Sequence, residues 1–208
     1  HSEKVFIMKR LLLILILTLS FQSWTKADDI SDFQIEGMSI GDSLLDHFSE
    51  KEIQVLIKHE ESFLYKDRKF AAVTTHHTKK PYKKITGKFD FSGVTIDPSD
   101  NNYIIHGLRG TLRFPKNIST CLIKKKEIEK TLASIFNKAE INISDKNHSY
   151  DKTGNSKTYS TYYYIDGGNA AITCVDWSDK LEKKWYDRLN LFITSDKLEK
   201  FLYDEAYN

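Results

Sequence analysis

Proline and glycine are scarce in this chain: three and nine among 208 residues. Set against 11 Tyr and 12 Phe, this excludes long structureless linkers and favours strands. An excess of one charge is also missing. The chain has 31 basic and 29 acidic residues; removing residues 1–27 takes away Lys4, Lys9, Arg10 and Lys26 with Glu3, which leaves 27 against 28. So neutral a chain gives no global field for nucleic acid. The run Lys124-Lys125-Lys126 reads as a solvated helix face. The longest apolar stretch, Leu11 to Phe21, is too short to cross the ~30 Å hydrocarbon core of a bilayer as a helix. The seven histidines show no HExxH or other ligand spacing, so neither a metal nor a cofactor is expected.

What is present begins with a targeting segment. Met8-Lys9-Arg10 is basic, LLLILILTLSF is apolar, and Thr25 and Ala27 stand at −3 and −1 before Asp28. Residues 8–27 read as a secretory signal peptide and 28–208 as one exported domain, periplasmic or secreted. No cysteine lies at the cleavage point, which argues against a lipid anchor. Cys121 and Cys174 form an even pair in an exported chain and read as one disulfide. It would close a loop of about 50 residues, worth about 4 kcal/mol in the chain-entropy account. Two buried free thiols are the alternative.

Apolar residues recur at helical spacing from Ile40 to Leu64, with a break near Ser49, and again from Cys121 to Asn137. Phe70–Thr75, Tyr82–Phe91, Val94–Ile96 and Tyr103–Phe114 read as strands. Asn142–Lys157 reads as a polar loop. Thr158–Ile165 and Ala170–Trp177 flank the tight turn Asp166-Gly167-Gly168-Asn169, and this is the strongest hairpin signal in the chain. Leu189–Ile193 is a last strand, and Ser195 caps a closing helix. Strands grouped after each helix predict an α+β fold with antiparallel sheet and helices on one face. The repeated order also predicts two tandem halves, 40–114 and 121–193, each a helix with about three strands; an accidental match of element order is the alternative.

Gly41-Asp42-Ser43-Leu44 resembles the motif that names the GDSL-type hydrolases, and Asp145-Lys146-Asn147-His148 matches their Asp-x-x-His. The resemblance implies a small esterase with Ser43 as nucleophile, His148 as base and Asp145 orienting it. The context departs from the family. IEGMSI before Gly41 is not a near-continuous apolar strand, and no Gly-x-Asn-Asp block exists to build the oxyanion hole. The same letters also read as a helix start: Ser39 as N-cap, Asp42 at N3 in a capping box, and Leu44, Leu45 and Phe48 on the buried face. Asp151-Lys152-Thr153-Gly154-Asn155 resembles the phosphorylation loop of P-type ATPases with its final Thr replaced. In an exported chain it reads as a turn held by local hydrogen bonds.

Tyr162, Tyr163, Tyr164, Trp177, Trp185 and Tyr186 crowd into a short span. Tyr162 and Tyr164 share one strand face and Tyr163 takes the other, so one face packs in the core and the other either packs under helices or meets a partner. Gly37-Met38-Ser39 leading into a helix and then antiparallel strands resembles the SmpA/OmlA (BamE-like) domain, and a tandem pair resembles the β-lactamase inhibitor protein arrangement. Those resemblances imply an exported, non-catalytic module that binds a protein or envelope component, or a secreted enzyme inhibitor.

Overall fold

Strand periodicity decides most of the architecture. Leu108, Gly110 and Leu112 alternate with Gly107, Arg109 and Thr111 along β4 (Ile105–Arg113). Leu189, Leu191 and Ile193 alternate with Asn190, Phe192 and Thr194 along β8 (Arg188–Ser195). Each strand thus has an apolar side and a polar side. A computed structural model describes residues 27–206 apart from 36, 75–89 and 183, and without the side chains of 90–92. The expected signal peptide and most of the expected strand 82–91 lie outside the described residues.

The other strands are β1 (Phe63–Leu64), β2 (Ala71–Val73), β3 (Asp90–Ile96), β5 (Glu140–Asn147), β6 (Lys157–Ile165) and β7 (Gly168–Asp176). All eight join one antiparallel sheet in the order β1-β2-β3-β4-β8-β7-β6-β5. The expected α+β class with antiparallel sheet is what the chain adopts. The order is mirrored about β4 and β8, with four strands on either side rather than three. The additions are the two-residue β1 and the edge strand β5.

Helix α1 (Glu50–Lys58) buries Ile53, Leu56 and Ile57 against the apolar side. Helix α2 (Ile118–Ile135) buries Cys121 and Leu132, and the segment before α1 adds Ile30, Ile35, Met38, Leu44 and Phe48. A one-turn helix α3 (Asp179–Glu182) comes after β7. Ser195 caps α4 (Asp196–Asp204), as expected, by accepting from the Leu198 amide. This closing helix lies against the other side of the sheet at one end. There Leu198 occupies the space above Gly107: a Cβ on Gly107 would come within 2.9 Å of its Cδ2. Phe70 and Phe201 complete that small second core.

Two expectations are corrected. The part before Ser49, expected to be helical from Ile40, is only a 3-10 turn, Leu44–Asp46, while α1 starts at the expected break near Ser49. Ser43 and Ser49 both take extended backbone; Ser43 caps the 3-10 turn, and the Ser49–Glu52 capping box opens α1. Asp42 does accept from the Ser39 amide at 2.7 Å, but the Ser39 hydroxyl caps nothing. The expected polar loop Asn142–Lys157 contains β5, paired along its length with β6. Ile141 and Ile143 alternate with polar residues over the first half of β5, but the second half, Ser144–Asn147, is polar throughout and exposed, as an edge strand permits.

The turn between β6 and β7 falls at the expected Asp166–Asn169. A Cβ on Gly168 would lie 2.1 Å from the Thr194 carbonyl oxygen, so the approach of β8 admits only glycine there. Cys121 and Cys174 are bonded, with Cα atoms 6.1 Å apart, and pin α2 to β7. No helix among the described residues is long and apolar enough to cross a membrane. Replacing both cysteines by alanine is expected to lower the unfolding free energy by about 4 kcal/mol, since the bond closes a loop of 53 residues. Urea denaturation would show it, and an unchanged midpoint would count against the chain-entropy account.

Candidate functional site

With the apolar side covered by α1 and α2, the register aligns short polar residues across the opposite side. Thr111, Asn190, Thr173, Ser160 and Ser144 stand in one row over five strands. The Thr111 hydroxyl donates to Asn190 Oδ1 at 2.9 Å, and the Thr173 hydroxyl to Ser160 Oγ at 3.0 Å. Longer side chains flank this floor. Arg109, Phe192 and Tyr162 rise along one bank, and Arg113 and Arg188 along the other. The result is a furrow across the strands. Arg109, Arg113 and Tyr164 on this side are exposed, and Phe192, Tyr162 and Arg188 are half-buried. Toward α4 the surface dips into a cleft of about 410 Å³ with Gly93, Gly107, Arg109 and Phe192 on its floor and Tyr65, Leu198 and Leu202 in its walls.

Aromatic rings gather at the other end of the strands. His148 packs on Trp177 at 4.4 Å between centroids, Trp177 on Trp185 at 4.8 Å, and Trp185 on Tyr150 at 4.6 Å. Cations lie over this array: Arg188 over Trp177 at 5.6 Å, Arg113 over Tyr186 at 5.8 Å and Lys184 over Trp185 at 4.9 Å. Burial, then the positive Arg188, disfavour the protonated form of His148.

The loops that carry these rings are tied by carboxylates. Asp151 accepts from the amides and hydroxyls of both Thr153 and Ser156, and from the Ser178 hydroxyl. These bonds hold its carboxyl far below the usual range. The expected local turn is therefore what Asp151–Asn155 forms. Asp187 accepts from the Trp177 amide at 2.8 Å, and Glu182 accepts from the Lys116 amide. Burial raises the Asp187 carboxyl, as it does that of Asp176. Two donors have no acceptor: Trp177 Nε1, on a side chain only 5 % exposed, and the buried Nε of Arg188.

The structure divides the aromatic residues singled out in the sequence. Tyr162 and Tyr164 stack at 6.2 Å on the furrow side, while Trp177, Trp185 and Tyr186 belong to the end cluster. Tyr163 is in the core, 2 % exposed, with its hydroxyl donating to the Glu129 carbonyl; burial pushes that hydroxyl up to about 12. Ser43, Asp145 and His148 are not brought together. Ser43 bonds the Asn102 carbonyl beside the start of β4, whereas His148 lies beside the ends of β5 and β7. The length of a nine-residue strand, roughly 30 Å, separates those ends of the sheet. Asp145 sits on the helix side of β5, opposite Tyr159.

Sequence reasoning passed over Arg109, Arg113 and Arg188. A signal was there: the chain has five arginines in all, and three are in strands β4 and β8. Among the described residues no group of three or more His, Cys, Asp or Glu is placed to hold a metal. No protein-family model, curated protein or solved structure matches the chain.

This geometry has two measurable consequences. Asp151 has a folded pKa below its unfolded one, so its hold on the loop is present above the usual carboxylate pKa near 4 and is lost as pH falls toward the lowered value. The amide spectrum of Thr153 and Ser156, which donate to Asp151, should therefore hold from pH 7 to about 4 and change only in stronger acid. Asp151→Ala should alter it already at pH 7, and an unaltered spectrum would show that the loop does not depend on this carboxylate. Ser43→Ala should cost about 1 kcal/mol in urea unfolding, as a lost cap does, and leave any turnover of a chromogenic acetate ester as it was.

Proposed function

We propose that this chain is an exported, non-catalytic module that holds a partner protein against the furrowed side of its sheet. The observation that carries the reading is the rim of that side, where Arg109, Arg113, Tyr164 and Tyr186 are exposed around a buried floor. Those residue types supply most of the binding energy at protein interfaces. The Cys121–Cys174 bond fits an oxidising compartment outside the cytosol. The mirrored strand order supports a second reading, the tandem layout that resembles the β-lactamase inhibitor protein. In that case the partner is an enzyme which the furrow blocks.

A photocrosslinking residue placed at Tyr186 or Tyr164 tests the surface against one placed at Val55, which is 61 % exposed on α1. In envelope extract the first two should give the same discrete adduct and the third none. Adducts from all three positions alike, or from Val55 alone, would remove the furrowed side as the interface.

A further inference from the structure

The two edges of the sheet differ. β1 ends it on one side with two residues, and β5 ends it on the other with eight. The β5–β6 ladder runs unbroken from Glu140 opposite Tyr164 to Asn147 opposite Lys157. Among the described residues no strand pairs with the outer edge of β5, so its alternate residues turn backbone N–H and C=O groups outward. Three protections that edges commonly carry are missing: β5 has no proline, no bulge interrupts it, and every residue but Ser144 is exposed. Ile141 and Ile143 stand on the helix side, opposite Tyr163 and Thr161, and are 51 % and 71 % exposed. Neighbouring isoleucines on a long, open edge are the makings of a pairing surface.

We infer that this edge pairs with the same edge of a second copy of the chain, antiparallel, about a two-fold axis at Ile143. The strand is self-complementary in that register. Ile143 meets its own copy, Asn142 meets Ser144, Ile141 meets Asp145 and Glu140 meets Lys146. Opposed residues are an even number of positions apart, so outward backbone groups meet outward groups and each face continues into the same face of the partner. Opposite charges stand directly opposed at both ends, which favours an antiparallel pair. On the helix side the isoleucines of both copies gather about the axis, with Ile141 diagonal to the partner copy of Ile143. Charge selects this axis over its neighbours. An axis at Asn142 sets Glu140 against Ser144 and brings Lys138 toward Lys146; one at Ser144 sets Lys146 against Asn142 and Ile141 against Asn147. Such a contact is isologous and closes at two copies, since β1 is too short to continue the ladder. It is independent of any partner on the furrowed side.

The protein, purified after export with its disulfide intact, is measured by sedimentation equilibrium over roughly 1–200 µM, the range of a modest interface. It should show monomer and dimer and no larger species. Ile143→Lys places two ammonium groups at the axis and should weaken the dimer about tenfold or more. Lys146→Glu and Glu140→Lys should each weaken it about three- to tenfold, and the two changes together should restore it to within about twofold. These side chains are exposed, so Tm should stay within about 2 °C. A second measurement does not depend on dimer strength. Ile143→Cys should give a disulfide-linked dimer on mild oxidation, and Ile141→Cys should not, because its two copies lie about 13 Å apart along the strands. A monomer at every concentration would leave the edge to an extended segment of another protein and overturn the pairing. So would open-ended assemblies, indifference to Ile143→Lys, equal crosslinking from the two cysteine variants, or a double exchange no tighter than either single change.

Discussion

The β4–β8 pairing is the contact on which the rest of the sheet depends. Within the described sheet it alone connects the four strands before α2 to the four after it. Its register, Gly107 opposite Thr194 through Arg113 opposite Arg188, assigns every residue of both strands to a side. Leu108 with Ile193 and Leu112 with Leu189 go to the core; Arg109 with Phe192 and Thr111 with Asn190 go to the furrow. A slip of one residue would put the leucines in water and the arginines under α2, so the apolar core enforces the register. The furrow is the other half of the same constraint. Its floor and banks exist because the core side is specified.

That dependence explains which parts could be read from the letters. β4, β6 and β8 contain runs in which one side is the more buried, and this leaves an alternation in the sequence, whereas β7 is buried on both sides and was marked by its hairpin turn. The hairpin at Gly167-Gly168 and the cap at Ser195 were legible because each demands a particular residue type for a local steric or hydrogen-bonding reason. The disulfide partners were legible because there were only two. What escaped was whatever depends on a distant neighbour. β5 is paired along its length because β6 offers it a ladder, and its own side chains show only the short alternation of Ile141 and Ile143. The 3-10 form of the segment before Ser49 goes with Ser43 turning its hydroxyl to the Asn102 carbonyl, 59 residues away. The opposition of Arg113 and Arg188 is invisible until the two strands are paired.

GDSL shows how four letters can be explained by local physics. Ser43 in extended backbone accepts from the Leu45 amide and so starts a 3-10 turn, and its own hydrogen is given to a carbonyl. Gly41 supplies a positive φ of 92° just before it. A glycine, an acid that accepts from the amide of Ser39, a capping serine and the first buried leucine make a turn into a core segment. Each residue is required there without reference to a nucleophile, a base or an oxyanion hole.

The position of the disulfide bears on how well the furrow could hold a partner. Cys174 is on the core side of β7, three residues before Trp177, and the bond ties that strand to α2. The Asp151 carboxylate ties the next residue, Ser178, to the loop after β5. The aromatic end of the furrow is thus anchored from below by a covalent bond and from the side by a network of hydrogen bonds. Rings already packed on one another and on cations have little side-chain freedom left to lose. The unpartnered donors at Arg188 and Trp177 work in the opposite direction, each at about 1–3 kcal/mol against the fold. A covalent constraint worth about 4 kcal/mol is of the size needed to offset them.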